Sequence, residues 1–172
     1  MATEPRSAPA TIAFEELYRS SRDDLYAYVA GMLRDRAAAE DVTAAAFERA
    51  YRKQHRFDSR RGSPRSWLFG IARNAALDEL RRRQRQAELG DDVHDEMAPS
   101  PAGLAETSAQ RLALRGALAE LTPRERELVA LKFFSGLSNG EIARVLAISE
   151  SNVGTRLHRT VSKLREAFHD QA

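Results

Sequence analysis

Hydrophobic positions recur at helical spacing through most of the chain and nowhere alternate every second residue as a half-buried strand would. Phe14, Leu17, Tyr18, Leu25, Val29, Met32 and Leu33 fall mostly three and four apart, predicting an amphipathic helix from about Thr11 to near Arg34. Val42, Ala46, Phe47, Ala50 and Tyr51 predict a second from Ala37 to Lys53, long enough to make an antiparallel hairpin with the first. The loop HRFDSRRGS then leads to Ser63-Pro64, where serine can cap and proline takes a position whose amide is orphaned anyway. The third helix has Trp67, Leu68, Ile71, Ala72 and Ala75 as its predicted apolar side. Leu112, Leu114, Ala117, Leu118 and Leu121 mark a fourth. Thr122-Pro123-Arg124-Glu125 reads as a capping box opening a fifth, with Leu128, Val129, Leu131, Phe133 and Phe134 as its apolar residues and Gly136 as its stop.

The last stretch has the strongest local signals. Ser138 and Glu141 form a second capping box, Ile142, Ala143 and Leu146 supply a buried side, Ala147 and Ile148 make a short turn, and Ser149 is placed to cap the final helix. On that helix Val153, Leu157, Leu164 and Phe168 form one inward stripe, leaving Ser151, Asn152, Thr155, Arg156, His158 and Arg159 outside. Helix, tight turn and helix, with a hydrogen-bonding cationic face, suit a DNA major groove. A polar face kept only for solubility would normally carry Glu and Lys. Arg156 could also pair with Glu150 or Glu166.

Charge sharpens this picture. The net charge is only +2, but residues 1–48 hold 5 basic and 9 acidic side chains, 49–85 hold 12 and 3, 86–107 hold 0 and 6, and 108–172 hold 10 and 7. A concentrated basic block before residue 86 points to a polyanionic partner. Within it, Arg81, Arg82, Arg83 and Arg85 exceed what a helix C-terminus needs and predict phosphate contact. The next stretch, acidic and interrupted by Pro99 and Pro101, reads as a flexible linker. The expected architecture is all-α: an arm over 1–10, a helical domain over 11–88, an acidic linker over 89–108 and a second helical domain over 109–172.

Catalytic chemistry finds little support. His55, His94, His158 and His169 lack metal-binding spacing, and neither a glycine-rich phosphate loop nor a nucleophile elbow occurs. No enzymatic activity, metal or cofactor is expected. The absence of cysteine removes disulfides and cysteine zinc sites. No apolar run suits a signal peptide or membrane span, so a cytoplasmic protein is expected.

Two sets of residues carry a family resemblance. Ala39-Glu40-Asp41-Val42, Phe47-Glu48-Arg49-Ala50-Tyr51, Trp67 through Asn74 and Asp78 to Arg83 resemble region 2 of extracytoplasmic-function sigma factors. Leu121 through Arg126, Ser138, Glu141-Ile142-Ala143 and Arg156 through Arg159 resemble their region 4, in the same order. The resemblance implies an initiation subunit of bacterial RNA polymerase. Region 2 would bind the β′ clamp helices and open the minus-10 element, while region 4 would sit on the β flap and read the minus-35 element. It implies core-polymerase contacts at Asp41, Phe47, Glu48 and Arg49. It places minus-10 contacts at Arg60, Arg61, Arg65, Asn74, Arg81, Arg82, Arg83 and Arg85, with Asn74 at the pocket position. Minus-35 contacts would be Ser151, Asn152, Thr155, Arg156, His158 and Arg159. Polymerase core and promoter DNA are the implied partners, and the sequence leaves open whether an anti-sigma factor is another.

The chain departs from the family pattern in two places. Ala44 and Ala45 stand where relatives carry a polar pair, and Gly154 where many carry a basic residue. The rival reading is a response-regulator or quorum-type helix-turn-helix factor, whose output domain shares the LTPRERE and SNxEIA pattern. That reading predicts a receiver of alternating strands and helices, which residues 11–85 do not suggest. An anti-sigma or nucleoid-binding module is a further rival, binding protein or DNA without directing initiation.

Overall fold

The computed structural model describes residues 12–89 and 108–170. Among them are seven α-helices and no strand: α1 Phe14–Leu33, α2 Arg36–Lys53, α3 Pro64–Glu88, α4 Ser108–Ala119, α5 Pro123–Val129, α6 Asn139–Leu146 and α7 Glu150–Asp170. Short 3-10 turns at Gln54–Arg56 and Ser59–Arg61 fill the loop before α3. The expected N-terminal arm and most of the acidic linker lie outside the described residues.

The first three helices form one packed unit. In α1 the buried side chains Leu17, Ser21, Leu25, Tyr28, Val29 and Leu33 follow helical spacing. The α1–α2 corner is tight: Arg34 adopts a left-handed conformation with its amide on the Ala30 carbonyl, and the Asp35 side chain accepts from the Ala38 amide at 3.0 Å. Small buried residues on α2 (Ala39, Thr43, Ala46, Ala50) face Ala72 and Ala76 among the buried residues of α3, allowing close approach of the backbones. The inward stripe of α3 is Ser66, Leu68, Phe69, Ala72 and Ala76. It is turned slightly from the expected one: Phe69 is fully buried, whereas Trp67 is partly covered and packs its ring on Phe57, with centroids 5.7 Å apart.

Packing places three of the expected site residues. Phe47 is core, 6% exposed and edge-on to Phe14 and Tyr18, beneath the α2 surface. Arg83 donates to Glu79 at 2.9 Å, Asp35 at 2.8 Å and the Leu33 carbonyl at 3.3 Å, stapling α3 to the α1–α2 corner. Arg65 donates to Asp24 at 2.5 Å, Ser20 O at 2.9 Å, Ser21 Oγ at 3.1 Å and Ser135 O at 2.8 Å.

The second unit is built around α7, against which α4, α5 and α6 pack. The capping box of α5 is present, with Thr122 and Glu125 exchanging hydrogen bonds. After Val129 the helix widens to a π turn over Ala130–Phe134, closed by the Ser135 amide on the Ala130 carbonyl at 2.9 Å. This shift in register buries Leu131 and turns Phe133 and Phe134 outward, 60% and 45% exposed, against the expectation that both belong to the apolar side. Gly136 at φ +66 completes the stop, and the Leu137 amide returns to Leu131 O. One continuous core runs from the first unit into Leu128, Leu131, Leu137, Ile142 and Val153 of the second.

Acid should loosen this structure in a defined window. Hydrogen bonds first from Arg82 and then from Arg83 hold the Glu79 carboxyl at about 2, against an ordinary 4.5. Its unfolded form binds the proton more readily, so the stabilisation is complete above pH 4.5 and is lost as the pH falls through about 2. Thermal melts followed by circular dichroism should show a falling midpoint across that window, with a shallower fall in Glu79→Gln. Equal slopes for the two proteins would contradict this account.

Candidate nucleic-acid interface

The helix-turn-helix begins at Ser138, whose hydroxyl accepts from the Glu141 amide at 3.2 Å while Glu141 Oε2 accepts from the Ser138 amide at 2.9 Å. Burial, which alone would raise it, is outweighed at Glu141 by hydrogen bonds from Ser63 and Ser138, so its carboxyl lies below the usual range. Ile142, Ala143 and Val145 seat α6. Ala147 then takes a left-handed conformation, φ 55, unfavourable for a residue with a Cβ by roughly 1–2 kcal/mol, and reverses the chain. Ser149 accepts from the Asn152 amide at 3.2 Å and starts α7. Val153, Leu157, Thr160 and Ala167 are its buried residues, with Leu164 and Phe168 half-buried.

Ser151, Thr155, Arg156, His158 and Arg159 are exposed on the other side of α7, with Asn152 half-buried beside them. Thr155 Oγ1 donates to Ser151 O at 3.1 Å, and Arg156 Nε donates to Asn152 Oδ1 at 2.8 Å. Arg156 is therefore ordered by a neutral amide, not by Glu150 or Glu166, and pairs with no carboxylate among the described residues. At Gly154 an added Cβ would meet only Asn139 Nδ2, at 4.0 Å, so packing does not dictate the missing side chain.

A second cationic surface lies on the first unit. Phe57 is buried and anchors the loop before α3. Asp58 accepts from the Arg60 amide at 3.0 Å and from its guanidinium at 3.1 and 3.3 Å, which holds the Asp58 carboxyl low and raises Arg60. Gly62 at φ +144 brings the backbone where a Cβ would lie 2.8 Å from Ser66 Oγ, so glycine is required there. Arg60 and Arg61 are exposed next to it. Along α3, Asn74, Arg81, Arg82 and Arg85 are exposed, with Arg81 paired to Asp78 and Arg82 to Glu79 at the surface. Asn74 makes no hydrogen bond among the described residues, so it does not hold the loop backbone in shape.

On α2 the structure leaves Asp41, Ala44, Ala45, Glu48 and Arg49 exposed, with Glu48 paired to Arg52 at 2.5 Å. Beside them lies an open cleft of about 400 Å³ lined by Tyr18, Arg22, Tyr26, Glu40, Thr43, Ala44 and Phe47. Sequence reasoning missed this cleft because Tyr18, 43% exposed, belongs by spacing to the apolar stripe of α1. No helix among the described residues is long and apolar enough to cross a membrane.

A capped helix-turn-helix with a separate cationic loop and helix has the form of a DNA-binding protein. Comparison with known proteins agrees. The family model "Sigma-70 region 2" matches residues 17–86 and "Sigma-70, region 4" matches residues 111–164. The ECF RNA polymerase sigma factor SigX of Bacillus subtilis is 34% identical, over 89% of this chain and 82% of its own length. SigM of the same organism is 29% identical, over 92% and 96%. Among solved structures, the sigma factor RpoE in complex with the anti-sigma factor NepR from Bartonella quintana shares the fold with a TM-score of 0.72 at 24% identity, covering 91% of this chain and 96% of that one. CnrH in complex with the cytosolic domain of CnrY has a TM-score of 0.64 at 25% identity, covering 93% and 90%. The chain belongs to the extracytoplasmic-function branch of the sigma-70 family: it is an RNA polymerase sigma factor.

The cap that opens α6 should be measurable on its own. Ser138→Ala removes the acceptor for the Glu141 amide and should cost about 0.5–2 kcal/mol in urea denaturation. A midpoint identical to the parent would mean that water serves the amide equally well.

Proposed function

We propose that the two exposed cationic surfaces divide promoter recognition between them while α2 holds the polymerase core in the cytoplasm. The observation that carries this reading is the outer face of α7, where Asn152, Thr155, Arg156, His158 and Arg159 are accessible and, among the described residues, no carboxylate pairs with Arg156. Groups of this kind distinguish base edges in a major groove, and cations beside them engage phosphates. The minus-35 element is their target. Arg60, Arg61, Asn74, Arg81, Arg82 and Arg85 form the minus-10 surface, without Arg65 and Arg83. Asp41, Glu48 and Arg49 contact the β′ clamp helices, and the exposed alanines between them admit a close-packed helix. Region 4 engages the β flap. A stress or developmental regulon is the class of promoters in this reading.

Two substitutions test the division of labour. Arg159→Ala should weaken promoter binding by holoenzyme by roughly 1–3 kcal/mol and relax selection at one minus-35 position if it reads a base, or weaken all variants alike if it holds a phosphate. An unchanged response to every upstream variant would remove Arg159 from the interface.

Asn74→Ala should leave holoenzyme binding intact but reduce permanganate reactivity of minus-10 thymines, because a base leaves its stack only when a pocket offsets the cost. A premelted template should restore much of the lost run-off transcription. Undiminished thymine reactivity would remove Asn74 from the pocket.

A further inference from the structure

Residues from the π turn, from α6 and from α7 converge at the edge of the recognition face. Lys132 Nζ donates to Asn139 Oδ1 at 2.9 Å, and both side chains are half-buried. An ammonium can only donate, so it locks the amide with Oδ1 on Lys132 and Nδ2 on the far side. That nitrogen faces Gly154 of α7, where an added Cβ would lie 4.0 Å from it. Among the described residues Asn139 Nδ2 has no acceptor and Lys132 has no carboxylate partner. A donor held in one orientation without an acceptor is preorganised to receive one.

Gly154 stands three residues after Ser151 and four before His158, so it shares the exposed side of α7 that they occupy. Glycine inside a helix is less stable than alanine, and close packing does not require it here. Its missing side chain leaves a notch beside the Asn139 donor. The docking geometry of the motif says what enters that notch. In a helix-turn-helix the second helix lies in the major groove while the first crosses the sugar-phosphate backbone. Asn139 is the first residue of α6, so a backbone phosphate passes where its Nδ2 points. The amides of that first turn are a poorer anion site. An added Cβ at Gly140 would lie 3.5 and 3.7 Å from the two carboxylate oxygens of Glu150, so an anion already faces them.

We propose that Asn139 is a DNA-backbone contact: its Nδ2 donates to a phosphate oxygen seated in the notch at Gly154, and Lys132 positions the amide and supplies positive charge behind it. The inference rests on α7 as the DNA-reading helix. It carries a consequence that charge counting reverses. A lysine at position 154 would add a cation to the DNA-facing side and yet weaken binding, because its stem fills the space the phosphate needs. A phosphate oxygen bonded to Nδ2 sits about 3 Å from it, so even a methyl group at 4.0 Å crowds that oxygen.

The test uses holoenzyme made from the full chain and core polymerase, with a duplex that the parent holoenzyme selects from a randomised pool. Gly154→Ala should raise the thermal midpoint, as alanine does inside a helix, while weakening binding roughly two- to tenfold. Gly154→Lys should weaken it at least as much. Asn139→Ala should lose a similar factor with the salt dependence unchanged, because no charge is removed. Asn139→Asp keeps the acceptor for Lys132 but replaces the donor by a carboxylate, and should bind worse than Asn139→Ala. Lys132→Met should lower the slope of log affinity against log salt by about one, which a purely structural lysine would not do. Ethylating backbone phosphates one at a time should reveal one position that matters to the parent and not to Asn139→Ala. Parent-like binding by Asn139→Ala, tighter binding by Gly154→Lys, or identical ethylation patterns would overturn the contact while leaving α7 as the reading helix. A selected pool without a common upstream sequence would instead sink that reading, and the contact with it.

Discussion

The burial of α3 on two sides at once constrains most of what the molecule can do. Ala72 and Ala76 lie fully buried with Ala39, Ala46 and Ala50 of α2, so the backbones approach where larger side chains would hold them apart. That closeness fixes the rotation of α3 and with it the fate of every arginine along the helix. Arg65 and Arg73 face the second unit, Arg83 faces the α1–α2 corner, and Arg81, Arg82 and Arg85 remain outside. A bulkier residue at Ala72 would do more than make a local clash: it would turn a cationic surface and an interdomain surface together.

This division explains what the sequence made legible and what it hid. Helix starts were readable because their signals are local. Thr122 with Glu125, Ser138 with Glu141 and Ser149 with Asn152 each close a hydrogen bond across three residues, a spacing that lies within one short stretch of sequence. The recognition face was readable for a similar reason, since a single helix carries all of it. Arginine roles were not, because Arg65 meets Asp24 and Ser135, Arg73 meets Glu127, and Arg83 meets Asp35, partners 41 to 70 residues away. A basic run looks the same whether its members hold phosphate or staple helices. Phe47 shows the same limit among apolar residues: a motif marks the position without saying that its ring lies under the surface that the neighbouring Glu48 presents.

The π turn at Ala130–Phe134 was hidden for a different reason. Periodicity assumes 3.6 residues per turn, and one widened turn displaces everything after it. Leu131 stays in the core while Phe133 and Phe134 leave it. The same register change delivers the Ser135 carbonyl to Arg65, so a local irregularity supplies an acceptor for the other unit.

Glu141 joins these levels. As the third residue of α6 it completes the capping box that starts the helix-turn-helix, and its second oxygen accepts from Ser63, the residue that caps α3. One carboxylate thus sits between the caps of two DNA-facing elements, and its depressed pKa reflects hydrogen bonds from both units. The Ser138 cap lies wholly within the second unit, so it does not depend on Ser63. The recognition helix therefore has a local scaffold of its own, and the contact with Ser63 adds to it the orientation of α6 against the start of α3.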